Sequence, residues 1–269
     1  MAVADLVPLE TLTDEELAVL APAHSIVVDP FLDEQDAGVP RAVRAAVART
    51  AYRSLVARGI LEPPTSEAAV EALEQRLADD DIGTVAVMVR DDVRALVSLR
   101  QAARTVVAVA RTTAASQDFW YAHVVDDVTL VEEVDSAGMH RFALSSTAAL
   151  PELLVAAAVH PELPDLDTDQ EGREVVLPVA PVDEADPTPP DEVLEELGAA
   201  VLRCDVVVRV VGDEEPVLFG VFSAPAGCWT LEAEYGTGGP LVARQCSGAE
   251  ARRRLAGMVS GDHDRVTAP

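Results

Sequence analysis

The sequence predicts an α+β fold of two pseudo-twofold-related halves, each an antiparallel sheet flanked by helices. Three observations lead there. Amphipathic segments with capping signals fill the N-terminal part. Short β-branched runs separated by turn residues follow. The same succession of helix, strands and helix then returns at an offset near 100 residues.

LTDEELAVL, residues 12 to 20, is predicted as a helix. Thr13 can serve as its N-cap, with Glu16 three positions on completing a capping box, and Pro22 ends it. SIVVDPFL, just beyond, reads as extended. After Pro40, Val43, Val47, Tyr52, Leu55 and Val56 recur at helical spacing, and Gly59 is a fitting C-cap. Ser66 caps a further amphipathic segment with Val70, Leu73 and Leu77 inward. Residues 82 to 90, IGTVAVMVR, fit either a buried strand or the start of a helix. DDVRALVSLRQAAR reads as helix and TVVAVAR, 105 to 111, as strand.

FWYAHVV is the next strand, and VTLVEEV follows the Asp126-Asp127 turn. DSAG makes a hairpin connection whose Gly138 tolerates positive φ, and MHRFALS continues the sheet. Thr147 is expected to start the helix TAALPELLVAAAV, with Pro151 in its first turn. Residues 160–190 hold seven of the 18 prolines and many acids, so they read as a connection. GREVVLPV inside it fits a short edge strand. Beyond it come the helix DEVLEELGAAVLR, the strands CDVVVRVV, VLFGVFS, CWTLEAEY and PLVARQC, and a helix capped by Ser247 with Glu250. The tail from Ser260 is polar.

Residues 191–269 thus repeat 91–159. Asp91-Asp92-Val93 matches Asp191-Glu192-Val193, Val106-Val107 matches Val206-Val207, Phe119 matches Phe219, and Gly138 matches Gly238. Thr147 and Ser247 stand at corresponding caps. The expected organisation is an N-terminal half, 1–159, the connection, 160–190, and a C-terminal half, 191–269, in one compact domain.

At 269 residues and 49% hydrophobic content, the chain has the means to fold. Its net charge of -27 repels phosphate and anionic membrane surfaces, so neither nucleic acid nor a membrane is expected as a partner. All basic residues are Arg. The acidic N-terminus lacks the basic and apolar regions of a signal peptide, and no apolar run reaches membrane-spanning length, so a cytoplasmic location is expected. Cys204, Cys228 and Cys246 fit no zinc or CxxC spacing and read as reduced core thiols.

No catalytic motif is present. There is no phosphate loop, impossible without Lys, and no G-x-S-x-G elbow. GTGG, 236 to 239, joins strands and opens no helix. Glu132 and Glu133 point to opposite faces of a strand, which argues against a shared proton. His123 and His140, on neighbouring predicted strands, read as exposed sheet histidines; a metal would need a third ligand such as Asp126 or Asp127. No enzyme activity, metal or cofactor is expected.

The partner-binding candidates are the three consecutive aromatics Phe119, Trp120 and Tyr121, and the arginines Arg252 and Arg253 beside Arg254. Strand alternation sends Phe119 and Tyr121 to one face and Trp120 to the other. The rings are either core residues or, with the preceding loop, a partner surface. The arginines are either a solvated helix face or a contact.

Several segments together resemble the EspG family, cytoplasmic chaperones of actinobacterial type VII secretion. They are LTDEELAVL with SIVVDPFL, AYRSLVARGILEPP with VEALEQRLADDD, REVVLPV, and GCWTLEAEY with SGAEARRRLAGMV. The resemblance implies two related halves, a central antiparallel sheet and helical bundles. It also implies a non-enzymatic role, holding a helical PE/PPE-type secretion substrate soluble before export. The alternative is a regulator or immunity-type protein acting through the N-terminal helices, where Arg41, Arg44, Arg49, Arg53 and Arg58 cluster.

Overall fold

The computed structural model describes residues 6–21, 40–68, 71–72, 75, 88–163, 172–177, 191–212, 216–224, 227–234 and 241–260. Among them lie ten strands and six α-helices, an α+β fold whose sheet is antiparallel and large. The elements in order are β1 (Val7–Thr13), α1 (Asp14–Leu20), α2 (Arg41–Ala57), α3 (Asp91–Ala102), β2 (Thr105–Thr112), β3 (Gln117–Val125), β4 (Val128–Val134) and β5 (Met139–Ser146). There follow α4 (Leu150–Ala158), β6 (Glu174–Leu177), α5 (Asp191–Gly198), β7 (Leu202–Val210), β8 (Val217–Ala224), β9 (Gly227–Glu234), β10 (Leu241–Cys246) and α6 (Gly248–Val259). The predicted succession of helix, four strands and helix over 91–158 therefore returns over 191–259.

Two compact units interleave along the chain. One holds Met1–Leu6, Arg104–Thr129 and Ser145–Pro269; the other holds Val7–Ala103 and Leu130–Leu144. The repeat divides the chain by sequence, whereas these units divide it by packing.

In the first unit the strand order is β3-β2-β7-β8-β9-β10-β6. β6 stands at the end of that order, where the edge strand in GREVVLPV is expected. β2 and β7 pair antiparallel from Thr105↔Val210 to Thr112↔Arg203. At its centre lie Val107↔Val208 and Ala108↔Val207, so each residue faces the neighbour of its own repeat counterpart. α4 packs on α6, the two helices that close the two copies. Ser247 caps α6 by accepting from the Glu250 N–H at 3.1 Å. Leu177, Val193, Phe222, Trp229 and Ala243 form a core cluster. Trp229 buries its ring and donates its Nε1–H to Glu196 at 3.1 Å.

In the second unit the order is β1-β5-β4. β1 is an element the sequence pattern did not reveal. Its Pro8 is tolerated because β1 ends that order, where a missing N–H costs no ladder bond on the open side. Helix α1 carries the predicted capping box: Thr13 Oγ1 accepts from the Glu16 N–H, and the Glu16 carboxylate accepts from the Thr13 N–H, both at 3.2 Å. α2 ends in a Schellman motif. Gly59 adopts φ 67°, its N–H reaches the Val56 carbonyl at 3.0 Å, and the Ile60 N–H reaches that of Leu55 at 2.9 Å. Leu12, Leu17, Leu55, Ile60, Val93, Leu96, Leu130 and Phe142 pack together as the core.

Thr147 does not cap a helix as expected. It opens a 3-10 turn, Thr147–Ala149, with no side-chain cap bond on either following helix start. Its hydroxyl donates to the Asp126 carbonyl at 3.0 Å and is thereby committed to the β3–β4 turn. Pro151 sits in the first turn of α4 as predicted. SIVVDPFL, residues 82–87, GTGG and the tail lie outside the described residues, as does most of the segment after Ser66.

Candidate functional site

The three aromatics lie on β3 as predicted. Phe119 and Tyr121 share a face, their rings stacked with centroids 6.2 Å apart. Phe119 is half-buried, but Trp120 and Tyr121 are buried, at 3% and 1% exposure. Of the two alternatives the sequence leaves open for these rings, Trp120 and Tyr121 take the core one. On α6, Arg253 is exposed and pairs with Glu250. Arg252 is half-buried, with a long Nη2 contact of 3.5 Å to the Leu163 carbonyl. Arg254 bonds Glu250 at 3.0 Å and also pairs with Glu232. Arg253 therefore presents itself to solvent, whereas Arg254 ties α6 to β9.

The histidines correct a second expectation. His123 and His140 are both fully buried, not exposed on the sheet. His140 lies between two carboxylates in the second unit. Its Nδ1–H meets Glu132 Oε1 at 2.6 Å and its Nε2–H meets Asp14 Oδ1 at 2.5 Å. Arg100, itself buried, donates to the same Glu132 at 2.9 Å and 3.3 Å. Burial pulls the His140 pKa down, but the hydrogen bonds and charges of Asp14 and Glu132 outweigh it and raise the pKa to about 9. The imidazole is thus a buried cation with both nitrogens engaged, and two cations face two anions. Such a ring has no lone pair for proton abstraction. Its action is to pin Asp14, in the first turn of α1, to β5. Among the described residues no group of three or more metal-ligating side chains could hold an ion.

Sequence reasoning missed this cluster, though a signal existed. Glu132 alternates with Leu130 and Val134, His140 with Phe142, and Arg100 stands four positions after Leu96. Each charge occupies a core position of an apolar pattern.

The same helix is anchored a second time. Glu16, buried, accepts from Ser54 Oγ at 2.7 Å and from Arg58 Nη1 at 2.5 Å, both from α2 and its cap. Arg58 also reaches Glu10 at 2.8 Å and the Thr11 carbonyl at 2.6 Å. Between the helices so fixed lies an open groove of about 650 Å³. Thr13, Glu15 and Glu16 form one wall. Ala42, Val43, Ala46, Val47, Thr50, Ala51 and Ser54 form the other. Small residues at 42, 46 and 50 repeat every turn of α2 and leave the trough. Val43 at its rim is 49% exposed.

No protein-family model matches the chain. No curated protein matches it. Among solved structures, it is similar to a chain in the structure of the Mycobacterium tuberculosis type VII secretion system chaperone EspG5 in complex with a PE25-PPE41 dimer. The identity is 12%, covering 73% of this chain and 85% of that one, with a TM-score of 0.42. A likeness at that score carries no functional conclusion. Among the described residues no helix is long and apolar enough to cross a membrane.

Proposed function

We propose that the protein is a non-enzymatic, cytoplasmic binding protein of the EspG type. It would hold a helical PE/PPE-type secretion substrate soluble before export. The observation that carries the reading is the open groove between α1 and α2, lined mainly by small aliphatic side chains. Its volume is in the range of ligand clefts, roughly 300–1,000 Å³. An amphipathic helix laying its apolar face there would be read as anchors one turn apart. Rigid walls favour such binding because little ordering is left to do on contact, and α1 is held by Asp14 on one side and Glu16 on the other. The sequence resemblance to the EspG family supplies the client class. The succession of helix, strands and helix over 91–158 that returns over 191–259 is consistent with the two related halves that the same resemblance implies.

The groove also belongs to the N-terminal helices, the surface assigned to an immunity-type protein. Co-expression separates the two readings. The protein is produced with a PE/PPE-type pair, and separately with a candidate protein toxin, and each mixture is run on gel filtration. A near-stoichiometric complex with the secretion pair, lost in Ala46→Glu and kept in Arg253→Ala, is the expected result. A complex only with the toxin favours the second reading, and a complex indifferent to Ala46→Glu removes the groove from either. Unchanged Tm in the variant shows that the loss is not unfolding.

A further inference from the structure

β9 and β10 pair antiparallel, and the last pair of their register places Cys246 directly opposite Cys228. Directly opposed side chains project from the same face of a sheet. Antiparallel partners have Cα atoms about 4.5–5.5 Å apart, inside the roughly 4.4–6.8 Å that a disulfide spans. The Cys228 thiol donates to the Trp229 carbonyl at 3.8 Å. Both cysteines are free.

We infer that Cys228 and Cys246 form a reversible cross-strand oxidation site, a dithiol that closes to a disulfide on meeting a hydroperoxide. This goes beyond the client reading and does not rest on it.

The two sulfurs have different parts. Cys246 is half-buried and ends β10 one residue before Ser247, the N-cap of α6. The positive end of a helix favours thiolate. The neighbouring Cys228 thiol lowers the Cys246 pKa, burial opposes, and the Arg254 charge lowers it further against the Glu250 charge, which raises it. Cys228 is 1% exposed, and the facing Cys246 and its burial raise its pKa. Cys246 is therefore the attacking sulfur and Cys228 the resolving one. In the first step the Cys246 sulfur attacks a peroxide oxygen; the O–O bond breaks, Cys246 becomes a sulfenic acid, and the other oxygen leaves as water from hydrogen peroxide with the thiol proton. In the second, Cys228 attacks the Cys246 sulfur; the S–O bond breaks, S–S forms, and a second water leaves with the Cys228 proton. Two thiols lose two electrons and the peroxide gains them. A dithiol reductant reverses the change. Cys204 takes no part: it lies fully buried on β7 opposite Val221, and burial pushes its thiol up to about 12.

The test treats the native full chain with hydrogen peroxide, quenches with an alkylating reagent, and maps the peptides. The expected product is a Cys228–Cys246 crosslink with Cys204 still alkylated only after denaturation, restored to three thiols by dithiothreitol. Cys204→Ser keeps the crosslink, and Cys228→Ser traps a dimedone-reactive sulfenic acid at Cys246. Crosslinks through Cys204, or native protein whose Cys228 and Cys246 are still reduced after peroxide, overturn the assignment. Because Cys204→Ser leaves the pair intact, a folding defect in Cys228→Ser does not remove the test.

Discussion

Replacing His140 with Gln removes the buried cation between Asp14 and Glu132 while keeping a side chain of similar reach. One unit of pKa corresponds to about 1.4 kcal/mol. His140 is held at about 9 against an ordinary 6.5, so its partners' preference for the charged ring stabilises the fold by about 3 kcal/mol. The sign follows from the raised value. Below pH 6.5 folded and unfolded chains both carry the proton, and the stabilisation is present in full. Between 6.5 and about 9 only the folded chain keeps it, so stability falls as pH rises; above about 9 the contribution is gone. Urea denaturation followed by far-UV circular dichroism at pH 6, 7.5 and 9.5 measures this, with hydrogen exchange over 130–144 reporting the second unit itself. The wild type minus His140→Gln difference is expected to be about 3 kcal/mol at pH 6 and to shrink towards zero at pH 9.5. Taking the difference removes other groups that titrate in the same window, the thiols included. A difference that stays constant from pH 6 to 9.5 would refute the assignment of a charged ring.

Gly138→Ala forces a side chain into φ 71° and sets its Cβ against the Asp14 carboxylate that His140 holds. The expected loss is about 1–3 kcal/mol, read as a lowered Tm; an unchanged Tm would show that the turn relaxes freely. Trp229→Phe shrinks a ring buried to 2% exposure and deletes its bond to Glu196. A loss of about 1–2 kcal/mol is expected, because half-exposed Glu196 regains water; chemical denaturation that leaves the midpoint in place would contradict the packing described.

The elements easiest to foresee are those fixed by neighbours in sequence. The Thr13 box, the Gly59 stop and the hairpin at Gly138 each depend on four or five consecutive residues, and each stands as expected. Strands β2 to β5 and β7 to β10 were legible for the same reason, since β-branched runs ended at turn residues. β1 was not: VPLETLT alternates weakly, and its strand character comes from β5, more than 120 residues away. Thr147 looked like a cap because caps and turns use the same hydroxyl chemistry. The buried cluster draws Asp14, Arg100, Glu132 and His140 from four separate segments, so only the misplaced charges in apolar patterns hinted at it. The groove depends on how α1 meets α2, and no single helix encodes that.

The ladder between β2 and β7 has a meaning for the chain's covalent continuity. A fragment ending before Asp191 would keep β2 and lose β7, leaving all eight residues of β2 with a bare edge. Bare edges recruit strands of similar shape, and the closest match in such a preparation is β2 of another fragment. In the intact polypeptide the tether supplies that match within the same molecule, at a local concentration that bimolecular encounter does not reach. The ladder thus turns an association that cleavage would leave to chance encounter into an internal one, held by the continuity of the backbone.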